Sequence, residues 1–171
     1  MNGAFWAWLN EVYRRPGVSP ALVALQDAEG LNVNAVLLCC WLAYRHTRLS
    51  PATAAEVERL SLLWSDAIIA PIRASRRALK TTDLIDEARR KDLRGRVQDI
   101  ELALEEMHVA MLEARALSDL ETPEDQPEAL IELAADNARA YFAARHMGPA
   151  DVSRILASPD WQAIVTAVCV D

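Results

Sequence analysis

An all-α, multi-helix bundle follows from three features of this sequence. Apolar residues recur at steps of three and four along most of the chain, and strand-like alternation is almost absent. The interruptions are helix punctuation, Pro16-Gly17, Ser19-Pro20, Ser50-Pro51, Gly148-Pro149 and Ser158-Pro159. With 171 residues and 19.0 kDa the chain fits one domain of six to eight helices spanning 1–171. Hydrophobic residues at 52% and charged residues at 25% exclude a disordered chain.

The first helix is expected from about Gly3 to Arg15, where Phe5, Trp6, Leu9, Val12 and Tyr13 share a stripe that Pro16-Gly17 stops. Ser19 then caps a short second helix with Pro20 at its first position, ending at Gly30. Asn32 caps a third, which carries the apolar run Ala35–Tyr44 and continues to Arg48. Ser50-Pro51 opens a fourth, with Val57, Leu60, Leu63, Trp64 and Ile68 as its apolar side. Pro71 should kink or break that helix, because it lacks a backbone donor and clashes with the preceding turn. Helix resumes through Lys80, and Thr81, Thr82 and Asp83 supply a new cap.

From about Leu84 to Leu120 one long, hairpin-like helix is expected. Leu93, Val97, Ile100, Leu104, Met107, Met111 and Ala114 alternate steps of four and three, which is a heptad seam. An acidic connector, ETPEDQPEA, leads to a helix over about Pro127–His146, and two short helices flank Ser158-Pro159.

Charge excludes some functions. The net charge of −7 opposes generic nucleic-acid binding, so that reading ranks last. The ten-residue apolar run Ala35–Tyr44 is half of what a membrane span needs. The N-terminal segment has its arginines after its apolar residues and does not read as a secretory signal. Cys39, Cys40 and Cys169 form neither a disulfide framework nor a zinc pattern and read as free thiols, which points to the cytoplasm. Residues 73–96 carry nine cations against four carboxylates, and residues 97–147 carry three against twelve. The simplest account is mutual pairing across an antiparallel hairpin, and the sharper one is two surfaces of opposite sign for a partner.

No catalytic motif stands out. The chain has no Gly-x-Ser-x-Gly elbow and no glycine-rich phosphate loop. Glu105-x-x-His108 has the spacing used in carboxylate-bridged di-iron bundles, but no second such pair accompanies it. It also lies off the Leu104–Met107–Met111 seam, so it reads as a solvent-facing pair with no metal. No cofactor is expected.

Two segments break local rules, and such breaks are where function is sought. Asp27 and Glu29 sit in the last turn of a helix, where the macrodipole disfavours negative charge. A structural clasp onto the next helix N-terminus, joined by Asn34, is the first explanation, and a ligand contact the second. Arg73, Arg76, Arg77 and Lys80 crowd one helix after Pro71. They pair with internal carboxylates such as Asp83, Asp86 or later glutamates, or they meet an external anion. Among the five tryptophans, Trp6, Trp41 and Trp64 lie on apolar stripes, whereas Trp8 stands aside and reads first as a flanking core residue and second as the wall of a groove.

The segments FWAWLNEVYRRPGV, LQDAEGLNVN and PIRASRRALK together resemble a family of small proteobacterial proteins of unknown function. The resemblance covers about residues 5–80 and implies a bacterial, cytoplasmic protein, with no activity to carry over. Residues 84–171 then comprise the long helix, the connector and the C-terminal helices. The first functional expectation is a non-enzymatic interaction module that binds another protein through the basic Arg73–Lys80 face, or itself through the long Leu93–Ala114 helix. The alternative is a small-molecule carrier, sensor or enzyme. Its inter-helix pocket would use Asp27, Asn34, Trp8 and Trp41, with the arginines holding an anionic group.

Overall fold

In the computed structural model, residues 3–118 and 129–169 are described. The elements are α1 (Ala4–Val12), α2 (Val18–Glu29), α3 (Val33–Tyr44) and α4 (Pro51–Trp64). A π turn (Ser65–Ile69) leads directly into α5 (Ala70–Thr81). Then come α6 (Glu87–Leu117), α7 (Leu130–Ala144), α8 (Pro149–Leu156) and α9 (Pro159–Cys169). With α4, the π turn and α5 taken as one rod, the described residues form eight helices and no strand. None of these helices is long and apolar enough to cross a membrane. The acidic connector lies outside the described residues except for Ala129.

The core is organised around α3. Every residue from Ala35 to Ala43 is buried, as expected of a helix that is apolar on all sides. It contacts α1, α2, α4, α6, α7 and α9. Asn32 caps it as expected, its Oδ1 accepting from the Asn34 and Ala35 amides at 3.0 and 3.1 Å. The helix stops at Tyr44, earlier than expected. His46 there adopts φ 54°, and the Thr47 amide closes back on the Leu42 carbonyl at 2.8 Å. Helix α7 ends the same way at His146, φ 58°, with the Met147 amide on the Phe142 carbonyl.

Asn137 locks these two helices together. It is fully buried, its Oδ1 accepts from the Leu49 amide at 2.7 Å, and its Nδ2 donates to the carbonyls of Cys39 and Thr47 at 3.2 and 3.0 Å. The loop after α3 is thereby held by a side chain about ninety positions away in sequence.

Helix α2 begins at Val18, after Gly17 at φ 84°, so Ser19 lies inside its first turn and not at the cap. It ends on Gly30 at φ 64°, where the absence of a Cβ removes the steric penalty.

Pro71 does not break the chain into two helices. The ladder shifts to a π turn in which the Ala70 amide donates to the Ser65 carbonyl, and Trp64, Ser65, Ile69 and Ala70 keep right-handed helical dihedral angles. Widening the turn accommodates a residue that has no amide and crowds the carbonyl four positions back.

The long helix α6 departs most from expectation. Its cap is Asp86, which accepts from the Arg89 amide at 3.0 Å. Its buried residues are Glu101, His108, Val109, Leu112 and Ala116, whereas the expected seam is largely turned outward. Ile100 and Met107 are 52% and 55% exposed. The heptad seam and the core-facing stripe are thus different faces. In α4 and the π turn the same occurs: Leu63 and Ile68 are exposed, and the polar Glu58 and Ser61 are buried.

Candidate functional site

A cleft of about 530 Å³ opens between α1, the α2–α3 junction, the α4–π–α5 rod and α6. The rod supplies one wall. Glu58, Ser61, Ser65, Ile69, Arg73 and Arg77 line it in succession. An α-helix turns 100° per residue, so repeated steps of four drift by about 40° each. The π turn holds an extra residue and sets the face back, so α5 continues the same wall. Such turns occur often at functional sites.

The deep end is polar and incompletely satisfied. The Ser61 hydroxyl, Glu58 Oε2, His108 Nε2 and Arg145 Nε are buried and have no hydrogen-bond partner among the described residues. All four residues line the cleft. A buried polar atom without a partner costs on the order of 1–3 kcal/mol, so their convergence at one place calls for an explanation.

His108 is 2% exposed. The sequence-based expectation of a solvent-facing Glu105–His108 pair is therefore corrected. Both residues line the cleft, because α6 presents its 101–105–108–112 face inward. The imidazole stacks on Trp64, and its Nδ1 lies 3.4 Å from Asn34 Nδ2. An amide can only donate there, which assigns the ring proton to Nε2. Burial lowers the His108 pKa to about 4, so near neutral pH the ring is uncharged and presents a fixed N–H donor. Trp64 is itself fixed by donating from its indole nitrogen to the Leu104 carbonyl at 3.0 Å.

Glu58 and Arg145 form a second group. Arg145 Nη1 meets Glu58 Oε1 at 2.9 Å and Nη2 donates to the Gly30 carbonyl at 3.1 Å. Glu58 is supplied by α4 and Arg145 by the residue that follows α7. Asn32 bridges to the π turn, donating from Nδ2 to Ser65 Oγ at 2.9 Å.

At the shallow end Arg73 donates to Glu101 at 3.0 Å and to Glu105 at 2.6 Å, and Arg76 donates to Glu101 at 2.6 Å. Burial pushes the Glu101 carboxyl up, but the hydrogen bonds and charges of Arg76 and Arg73 outweigh that and hold it below the usual range. These partners are later glutamates, one of the two alternatives open for the cluster; Asp83 and Asp86 are exposed, and Asp86 caps α6. Arg77 and Lys80 are exposed and make no ion pair among the described residues. Arg77 lines the cleft, whereas Lys80 sits in the last turn of α5, where the helix dipole favours a cation.

The other candidates separate. Asn34 lines the cleft. Asp27 is exposed and lies outside it, and the α3 amides assigned to it are taken by the Asn32 side chain, whose shorter reach is local. Glu29 is compensated instead by Arg154, which meets it at 2.6 and 3.1 Å. Trp41 is core, 2% exposed, with Phe5 at 5.1 Å. Trp8 packs between Phe5 and Tyr44. It is Trp6, one turn-face over, that lines the cleft. Among the described residues no group of three or more His, Cys, Asp or Glu side chains is placed to hold a metal ion.

The family model described as "Protein of unknown function (DUF2390)" matches residues 4–112. That span extends the resemblance through most of α6 and includes Asn34, Glu58, Ser61, Arg73 and His108, while Arg145 lies beyond it. No curated protein and no solved structure matches the chain.

Proposed function

We propose that this chain, which belongs to the DUF2390 family of proteins of unknown function, binds a small polar molecule in the cleft between α4 and α6. The observation that carries the reading is the convergence of four buried, unpartnered polar atoms on Glu58, Ser61, His108 and Arg145. They comprise two N–H donors, one carboxylate acceptor and one hydroxyl that can do either. A ligand bearing both donors and acceptors at its inner end satisfies them together. At the outer end Arg77, which has no ion pair among the described residues, offers a cation for an acidic group such as a carboxylate or phosphate.

A carrier or sensor fits better than a catalyst. General acid–base work favours a pKa near the working pH, and His108 sits far below it. The buried thiols of Cys39 and Cys40 support a reducing, cytoplasmic setting. A protein-docking role for the α5 basic face stays as the second reading, supported by the exposed Arg77 and Lys80, with Arg73 and Arg76 already engaged by glutamates.

The test is a thermal-shift screen of small polar metabolites, repeated on Ser61→Leu, whose side chain fills the inner cleft. Binding predicts compounds that raise Tm in the parent protein and lose that effect in the variant. A screen with no stabilising compound, or with equal shifts in both proteins, would count against it.

A further inference from the structure

The α5–α6 pair is an arm with almost no core of its own. Between Ile69 and Val109 no apolar side chain is buried, and the buried residues there are Glu101 and His108. The arm nonetheless carries large apolar side chains. Leu93, Ile100 and Met107, seven residues apart, are 38%, 52% and 55% exposed and lie along one line of α6. Ala103, Ala110 and Ala114 flank that line and are exposed too. A stripe with a strict heptad step is what a second helix packs against, and a two-helix hairpin cannot bury it alone.

We infer that this stripe is a homodimer interface, in which α6 of a second copy packs antiparallel across it about a two-fold axis near Ile100. The charge pattern selects both the occupant and its direction. From Glu87 to Arg96 the helix has five cations against two carboxylates, and from Val97 to Leu117 it has five carboxylates against one arginine. Parallel copies would set cation on cation and carboxylate on carboxylate. Antiparallel copies set each basic half beside the other copy's acidic half, bringing Leu93 near Met107 of the second copy. The interface is isologous, so one self-complementary helix suffices. From Leu93 to Met107 the paired stripe runs about 21 Å, and the two α5–α6 arms together make a four-helix bundle.

Light scattering on the eluting full-length protein, over a dilution series, reads the assembly. The expected mass is twice 19.0 kDa. Ile100→Glu with Met107→Glu places charges at positions already exposed in the single chain, so the helical far-UV spectrum is kept while dimerisation weakens at least about a hundredfold. Direction is read by cross-linking in a Cys169→Ser background. Leu93→Cys and Met107→Cys proteins form a disulfide when mixed, and neither does so alone. A single-chain mass at every concentration overturns the inference. So does a dimer that survives the double glutamate variant, disulfides within each variant alone, or a different protein found covering the stripe.

Discussion

The indole of Trp64 and the imidazole of His108 lie nearly parallel, 13° apart with ring centroids separated by 6.1 Å. This stack joins the end of α4 to the middle of α6 behind the cleft-lining face of His108, immediately before the π turn. It buries a histidine whose Nδ1 is served by Asn34 and whose Nε2 has no partner among the described residues.

Burial of that ring makes stability depend on pH. His108 is held at about 4 in the folded state, against about 6.5 when unfolded. Between these values the unfolded chain binds the extra proton, so stability rises with pH across that window and falls as the solution is acidified. The full effect is on the order of 3 kcal/mol. Urea denaturation from pH 6.5 down to 4 should show it, and His108→Gln should flatten that part of the profile. An equal slope in parent and variant would place the titration elsewhere.

Ser61 should trade stability against binding. Its hydroxyl is buried and has no partner among the described residues. Ser61→Ala removes the unpaired group and should raise stability by about 1 kcal/mol, contrary to the usual direction for a buried substitution. The same variant should weaken any ligand found for the cleft by about tenfold, measured by isothermal titration. A destabilised variant would mean that the hydroxyl is already satisfied in solution.

Asn137 should behave oppositely. All of its bonds are made, to Leu49, Cys39 and Thr47. Asn137→Ala strands the Leu49 amide and two carbonyls in the core and should cost about 2–4 kcal/mol in chemical denaturation. A loss under about 1 kcal/mol would show that the loop after α3 is held by other contacts.

Glu101 should control the arm locally. It is the shared acceptor of Arg73 and Arg76. Glu101→Gln removes the charge and keeps the shape. Because the arm buries no apolar side chain between Ile69 and Val109, hydrogen exchange in α5 and the first half of α6 should quicken about tenfold. Amides of α3 and α7, which depend on Asn137 and the core, should not change. Uniform acceleration throughout would show that the arm unfolds only with the whole protein.

How far the sequence went can be judged from individual residues. Asn32, Ser50 and Gly30 act where their local chemistry places them, because capping depends on side chains two or three positions away. The all-helical class follows from the same local signals. The cleft was legible only in part. Asn34 and the arginines stand out by context, but Glu58 and Ser61 inside α4 and Arg145 just after α7 carry no local signal and gain meaning only when α4, α6 and α7 converge. The sequence pattern points His108 to solvent because α6 carries two apolar lines, and the stronger heptad signal, Leu93–Ile100–Met107, belongs to the outward face. Periodicity identifies an apolar face and says nothing about which neighbour covers it. Likewise Pro71 announces a disturbed helix, and whether it breaks, kinks or widens to a π turn depends on the tertiary wall it must continue.

Native mass spectrometry of the protein isolated gently from its own host, beside a denaturing run, tests the central claim most directly. The cleft account predicts a small added mass on the parent chain that disappears on denaturation and is missing from Ser61→Leu prepared in parallel. A bare 19.0 kDa chain, or bare multiples of it, in both preparations would contradict the account, as would the same added mass on both proteins.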